Sequence, residues 1–437
     1  MIKKLVLVFI ALFAIQGYAQ QGTSSPYSFY GIGSLKFKGT VENRSMGGLS
    51  IYTDSIHVNL RNPASYATPN LNIAGFNGES RPVKFSVGGS HSSLNLKSSS
   101  SSDKAASTSF DYIALSVPIG KFGFGFGLMP FTSVGYKLES VDSNGDLLNK
   151  FRGEGGLNKV YLGLGYMLTK DLSVGINANY NFGNIKNSTV EYSYDSDGIP
   201  LIYQSRENNR SDLSGLNFNL GLSYKTMLND AYEFVSGITY TPKSNLTSNN
   251  ERSFSTISIA SSTDQEYVIN TVETNLDVVG LKQTDLTLPS KLSIGVGIGK
   301  PRKWFVGTEY TTQQTSKFYN PLYSSLTTAY EDASTFSLGG FYIPQYNSFT
   351  SYFKRVVYRG GLHFEKTGLI INNESIKEFG MSFGLGLPVG NIFSNANLGV
   401  EIGKRGTTNS NLIQENFINF QLSLSLNDRW FQKRKYD

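Results

Sequence analysis

Long stretches of this chain alternate between apolar residues and small or polar ones. Val160, Leu162, Leu164, Tyr166 and Leu168 are interleaved with Tyr161, Gly163, Gly165 and Met167. The same holds for Leu172, Val174, Ile176, Ala178, Tyr180 and Phe182, set against Ser173, Gly175, Asn177, Asn179 and Asn181. It returns in Leu216, Phe218, Leu220, Leu222 and Tyr224 against Asn217, Asn219, Gly221 and Ser223. A period of two is that of an extended strand with one apolar face. Alternation alone would fit a half-buried strand of a soluble sandwich. These runs, however, are longer than the usual strand of about 5 to 6 residues and reach the roughly 9 to 11 that a membrane-spanning strand needs.

The connections point the same way. Tight turns at 119–121, 169–171, 228–230 and 300–303 alternate with long polar connections at 98–107, 140–153, 188–212, 258–284 and 317–334. Short turns at one rim and long loops at the other are the mark of an outer-membrane barrel. The pattern predicts strands near 82–97, 108–118, 121–139, 154–168, 171–187, 213–228, 232–256, 286–299, 303–316, 335–344, 356–367, 377–388, 394–404 and 415–428. That is an antiparallel transmembrane β-barrel of about fourteen strands. An even count places both barrel ends on the side of the short turns. Residues 345–354 are long for a tight turn and are expected to hold a short helix.

One stretch does not alternate. From Tyr27 to Ala67 the chain is rich in Gly, aromatics and turn residues and shows neither helical nor strand periodicity. The strands explain why such a piece is needed. Their predicted inward positions are small: Gly123, Gly125 and Gly127, then Ser293, Gly295 and Gly297, then Gly380, Ser382, Gly384 and Gly386. About eight strands only just close over their own side chains, so a wider barrel with such a lining needs an occupant. Residues 20–70 are expected to be that plug, irregular backbone being tolerated at membrane depth where no lipid touches it. Few charges show in the strand interiors, and the lumen is expected to be neutral, without the charge rings of a general porin. Candidates for seating or gating the plug are Arg44, Met46, Gly47, Gly48, Asp54, Arg61, Asn62, Pro63 and Ala64. Arg44, Asp54, Arg61 and Asn62 can satisfy buried backbone and pair with inward barrel groups. Pro63 stiffens the exit of the plug toward the barrel. Residues 71–80 either extend the first strand or belong to the plug.

Composition narrows the class. Tyr (26), Phe (29) and Gly (45) are abundant, and after the N-terminus no run of 18 apolar residues occurs, so helical spans are not expected. Lys3 and Lys4, an apolar run from Leu5 to Ile15 and the small residues Gly17 and Ala19 make residues 1–19 an expected signal peptide. The barrel then occupies 71–431, and Lys433, Arg434 and Lys435 lie in a basic periplasmic tail, 432–437. Absence of Cys excludes disulfides, thiolate metal sites and lipid attachment. The net charge of +6 includes the signal lysines and the tail, and no dense basic stripe argues for nucleic acid.

No reaction chemistry stands out. His57, His91 and His363 are the only histidines, and no nucleophile is marked beside them. Asp142 to Asp146 and Asp195 to Gly198 resemble calcium loops faintly. The twelfth position of the first is Gly153 where Glu is required, so both read as polar turns. No enzyme activity, metal or cofactor is expected. Trp304, Trp430, Phe431, Tyr166 and Tyr180, near strand ends, read as interface anchors.

Met46-Gly47-Gly48 followed by Asn62-Pro63-Ala64, at this distance from a signal sequence, resembles the hatch of the long-chain fatty-acid transporter (FadL-like) family. Leu288-Pro289-Ser290 and the run from Tyr352 to Leu362 add to the likeness, and Ser25-Pro26-Tyr27-Ser28 with Tyr30-Gly31-Ile32-Gly33 looks like the version found in Bacteroidota. One departure is that Trp430 and Phe431 are followed by six further residues, whereas barrels of this kind end on an aromatic. The resemblance implies a fourteen-stranded barrel with a plug in the outer membrane of a Gram-negative bacterium. It implies passage of hydrophobic small molecules, with outer-membrane lipid as surroundings. Relatives that look like PorV imply an alternative: a subunit or adaptor of an outer-membrane secretion or assembly complex, with other outer-membrane or periplasmic proteins as partners.

Overall fold

The computed structural model describes residues 22–54, 56–67, 81–260, 262–322, 328–389 and 394–428. The expected signal peptide, residues 71–80 and the aromatic and basic C-terminal tail lie outside them. Fourteen antiparallel strands close on themselves. They are β1 (Val83–Lys97), β2 (Ser102–Ile119), β3 (Phe122–Pro130 continued by Thr132–Val141), β4 (Leu147–Met167), β5 (Leu172–Glu191), β6 (Tyr203–Met227) and β7 (Glu233–Thr241 continued by Ser244–Ala260). Then come β8 (Gln283–Leu288 continued by Lys291–Lys300), β9 (Trp304–Gln313), β10 (Ala333–Tyr342), β11 (Val357–Ile371), β12 (Glu374–Pro388), β13 (Asn395–Arg405) and β14 (Gln414–Asp428). Each strand pairs with the next, and β14 pairs with β1 from Val83↔Asp428 to Lys97↔Gln414. Both barrel ends therefore sit on the short-turn side, as the even count requires.

Alternation sorts side chains as predicted. Phe122, Phe124, Phe126, Leu162 and Leu164 point outward and are exposed, while Gly123, Gly125, Gly163 and Gly165 face inward. An outward band of aliphatic and aromatic groups suits hydrocarbon, and the ring of paired strands satisfies most of the backbone.

The strands run further than the alternation indicates. β5 and β6 stay paired up to Glu191↔Ser205, and β7 continues to Ala260, where Gln265–Glu273 pairs back onto it. The expected loops 98–107, 140–153, 188–212 and 258–284 thus contain strand. Beyond the membrane both faces of a hairpin meet water, so the apolar period fades while the backbone ladder continues. At the other end, residues 343–356 form turns and only a 3₁₀ turn, Phe353–Arg355, in place of the expected helix.

Residues 22–54 and 56–67 lie inside the barrel. Among these described residues the regular pieces are a 3₁₀ turn Pro26–Phe29, a single α-helical turn Val41–Arg44, a two-residue bridge Ser34–Leu35 and a 3₁₀ turn Pro63–Ala67. Eleven consecutive strands, β3 to β13, each turn a glycine toward this segment. Tyr66 lies against Gly125 and Gly163, Pro63 against Gly175 and Gly221, and Ile51 against Gly295 and Gly307. Met46 lies against Gly339 and Gly361, and Ser45 against Gly384 and Gly399. Many are register neighbours, including Gly165↔Gly175, Gly237↔Gly295, Gly339↔Gly361 and Gly384↔Gly399. The small lining is therefore a belt into which the segment is set, since a Cβ at these positions would collide with it.

Candidate functional site: the lumen and its N-terminal segment

The neutral lumen expected from the sequence is not what the structure shows. Asp111, Glu309, His363, Glu378, Glu401 and Glu415 are buried and inward, and cations of the N-terminal segment meet most of these carboxylates. Arg44 reaches Asp111 and Glu401, each at 3.2 Å. Arg61 meets Glu309 at 2.7 Å. Lys38 contacts Glu378 at 2.5 Å and Glu365 at 3.3 Å. Burial opposes the charge on Lys38, but Glu365 and Glu378 outweigh it and raise the ammonium above its ordinary range. From the wall, Arg405 binds Glu378 and faces Glu415 at 3.8 Å. In the sequence, isolated Glu or Arg residues in alternating strands look like loop-end charges. Their signal is an acidic residue at an inward register position.

His363, Glu378 and Glu401 converge closely enough for a cation. Lys38, Arg405 and Arg44 already neutralise these carboxylates, so the cluster is a protein-compensated network rather than a metal centre.

The predicted residues of the segment fall into this frame. Met46 is buried beside Leu49, Ile51, Val235 and Phe305. Gly47 (φ 70°) and Gly48 (φ 87°) take left-handed backbone that favours glycine. The Gly47 N–H donates to Ser382 Oγ at 2.9 Å, and the Gly48 carbonyl accepts from Arg61. Asn62 donates to the Leu222 carbonyl at 3.0 Å and accepts from the Ala64 N–H at 3.0 Å, so it fixes both the wall and the Pro63 turn. Ala64 is fully buried. Asp54 closes a tight turn, accepting from the Ile56 N–H at 2.8 Å and facing His57 Nδ1 at 2.7 Å. Lys84 of β1 donates to the Asp54 and His57 carbonyls at 2.8 and 3.0 Å. Burial would raise the Asp54 carboxyl, yet His57 and Lys84 win and hold it well below the usual carboxylate range.

The wall itself is broken in one place. β2 and β3 pair from Ile119↔Phe122 to Ile113↔Leu128; beyond that, the described residues show no pairing between Ser102–Tyr112 and Thr132–Val141. The break falls at Pro130-Phe131. Proline brings no N–H to a ladder and is confined to sheet edges and bulges. β3 holds three residues, 131–133, between its two pairings with β4, which has two, 156–157. Phe131 instead accepts from Lys36 N–H at 3.0 Å, Ser34 and Leu35 pair with Ser133 and Thr132, and Ser24 Oγ donates to the Ala106 carbonyl at 3.0 Å. Beside the break lies a chamber of about 200 Å³ lined by Tyr30, Ile32, Leu35, Phe131, Leu288 and Phe318 among others, with Lys38, Lys291 and Arg405 on its polar side. Leu35 also borders a 90 Å³ void lined by Ser90 of β1 and Ser107 of β2 and by the charged Arg44, Glu378, Glu401, Arg405 and Glu415.

His91 is exposed and pairs with Thr108 at 2.8 Å. Asp142 and Asp195 each cap their own turns, accepting from the N–H groups of Asp146 and Ile199 at 2.8 Å.

A closed barrel with an apolar exterior, a belt of inward glycines and an N-terminal segment set into it has the build of an outer-membrane β-barrel. Solved structures share this fold. The Pseudomonas putida toluene transporter TodX superposes with a TM-score of 0.59 at 16% identity, over 92% of this chain and 100% of its own. The Ralstonia pickettii toluene transporter TbuX gives 0.56 at 16%, over 90% and 98%, and a Pseudomonas aeruginosa FadL homologue 0.55 at 11%, over 90% and 99%. The FadL-like resemblance is met at the level of the fold. No curated protein matches the sequence. The chain belongs to the BamG family, whose model matches residues 1–437.

Proposed function

We propose that this barrel passes hydrophobic small molecules across the outer membrane, with residues 20–70 acting as a plug and the break between β2 and β3 as the side exit. The observation that carries this reading is the interrupted wall beside a chamber with an apolar side. A cavity of about 150 Å³ with apolar walls takes up benzene, so the 200 Å³ chamber suits a single small apolar molecule. Leu35 stands between the chamber and the void that leads to β2. Tyr30, Ile32 and Leu35, from the segment itself, supply the apolar surface of the chamber. Residues Arg44, Met46, Gly47, Gly48, Asp54, Arg61, Asn62, Pro63 and Ala64 seat the plug so that only its edge at Ser34–Leu35 has to shift.

The test is uptake of N-phenyl-1-naphthylamine by bacteria expressing the chain. Leu35→Trp, which fills the passage from a half-exposed position, is expected to lower uptake several-fold while the barrel keeps its heat-modifiable migration on gels. Equal uptake by wild type and Leu35→Trp, or uptake by wild type no greater than by cells without it, would refute the proposal.

A further inference from the structure

The two ends of the barrel differ in charge. The six turns on the short side, 120–121, 168–171, 228–232, 301–303, 343–356 and 389–394, carry six basic residues (Lys121, Lys170, Arg302, Lys303, Lys354 and Arg355) against Asp171 and Asp230, a net of +4. Connections at the far end, 98–101, 142–146, 192–202, 261–264, 274–282, 314–332, 372–373 and 406–413, carry eight acidic residues against Lys282 and Lys317, a net of −6. In a barrel of this build the short turns face the periplasm. The basic end also holds a cavity of about 880 Å³ opening between the turns. Its inner wall is mixed: Tyr52 packs on Phe305 and Phe341 with ring centroids 4.7 and 4.9 Å apart, and Glu42, Asp54, Glu233, Lys225 and Arg359 line it as well. At its mouth, Arg302 lies over the Tyr346 ring at 5.3 Å and Arg355 over Tyr352 at 5.4 Å. Phe349, also at the mouth, is completely exposed.

The loop that presents these groups is held in shape. Gln345 N–H donates to the Lys354 carbonyl at 2.7 Å, and Tyr352 Oη to the Pro388 carbonyl at 3.0 Å. An ordered loop with an aromatic ring wholly in water, flanked by arginines on aromatic faces, has the composition of a binding hot spot.

We infer that this face docks a segment of a periplasmic protein that carries carboxylates beside apolar side chains. The carboxylates meet Arg302 and Arg355, and an apolar side chain enters the cavity against Tyr52 and Phe341. Charge complementarity selects an acidic partner. Two features favour a protein over lipid or a small amphiphile. Arg302 and Arg355 line the cavity that opens between the turns, so the charge they present is directed at what enters it. The excess positive charge is spread over the turns of several hairpins and Phe349 stands outside the cavity, so the surface is broader than a molecule held within would cover. This site lies at the opposite end from the loops and does not depend on the transport reading.

The test is fluorescence anisotropy of labelled peptides with the full barrel in phosphatidylcholine nanodiscs. The probes are a twelve-residue peptide of alternating Glu/Asp and Leu/Phe, its Lys-for-acid counterpart and its Ser-for-apolar counterpart. The acidic apolar peptide is expected to bind at least about tenfold more tightly than either control, with an affinity that falls as salt rises. Phe349→Ser and the double variant R302E/R355E are expected to weaken it several-fold. Phe349 is fully exposed, so its replacement leaves folding untouched and separates the site from the fold. Equal binding of the Lys peptide, or indifference to both variants, overturns the inference. So does loss of binding in phosphatidylglycerol nanodiscs, which would make lipid the occupant, or a co-purified amphiphile released by R302E/R355E.

Discussion

The two sides of the lumen hold the N-terminal segment in different ways. Toward β11–β14 and the inward face of β2, Lys38 and Arg44 are clamped by Glu365, Glu378, Glu401 and Asp111. Toward the break between β2 and β3, the segment is held by neutral bonds: Ser24 to Ala106, Lys36 N–H to Phe131, and Gly135 N–H to Ser28 Oγ at 3.1 Å. A buried ion pair is costly to break by removing one partner, because the other charge stays buried and unpaired. A neutral bond at the surface, such as Ser24 to Ala106, is replaced by solvent at little cost, whereas the Gly135–Ser28 bond is buried. The segment is thus held by ion pairs on one side, and by neutral bonds and the packing of Ile32 on Val134 and Tyr136 on the other.

The largest effect expected from breaking this contrast is on the clamp. Arg44→Ala leaves Asp111 and Glu401 unpaired, and should lower stability by about 3–5 kcal/mol. Ser24→Ala on the side of the neutral bonds should change it by no more than about 0.5 kcal/mol. The temperature at which each barrel loses its compact gel migration measures both, and equal shifts would erase the distinction between the two sides.

Next comes the belt. Gly125→Leu places a side chain where the Tyr66 ring lies, and overpacking of this kind costs about 1–3 kcal/mol. Single-channel recording in planar bilayers gives a second readout, since a displaced segment should raise conductance above that of wild type. Unchanged stability and conductance would mean that Tyr66 does not need the space that Gly125 leaves.

The smallest effect concerns Asp54. Its carboxyl is held low in the folded chain, so its contribution is present above the ordinary carboxylate pKa of about 3.9 and lost as pH falls below that. Asp54→Asn should therefore cost about 1 kcal/mol, in the range of a lost Asp cap. The gap from wild type should stay constant between pH 7 and 5 and shrink only under stronger acid. A gap that closes already between pH 7 and 5 would contradict the low-held carboxylate.

Much of the barrel is legible in the sequence because period two is a local property. Leu162 and Gly163 declare their faces without reference to any other strand, and turns such as Lys300-Pro301-Arg302-Lys303 mark the ends. The need for an occupant is legible too, since Gly, Ser and Asn on inward faces leave space that the N-terminal segment is suited to fill. Strand length beyond the membrane is not, because Thr189 and Glu207 pair through backbone groups that any residue supplies. The partners of Arg44 and Arg61 are not legible in the sequence. Arg44 lies 67 residues from Asp111 and 357 from Glu401, and only barrel closure brings these together. The membrane-embedded strands, their faces and the end with the short turns can be read locally, because each follows from neighbouring residues. Tertiary structure decided which carboxylate meets which cation, that β3 breaks away from β2 at Phe131, and that Arg302 and Phe349 share one mouth. Those depend on distances across the lumen, which no local pattern encodes.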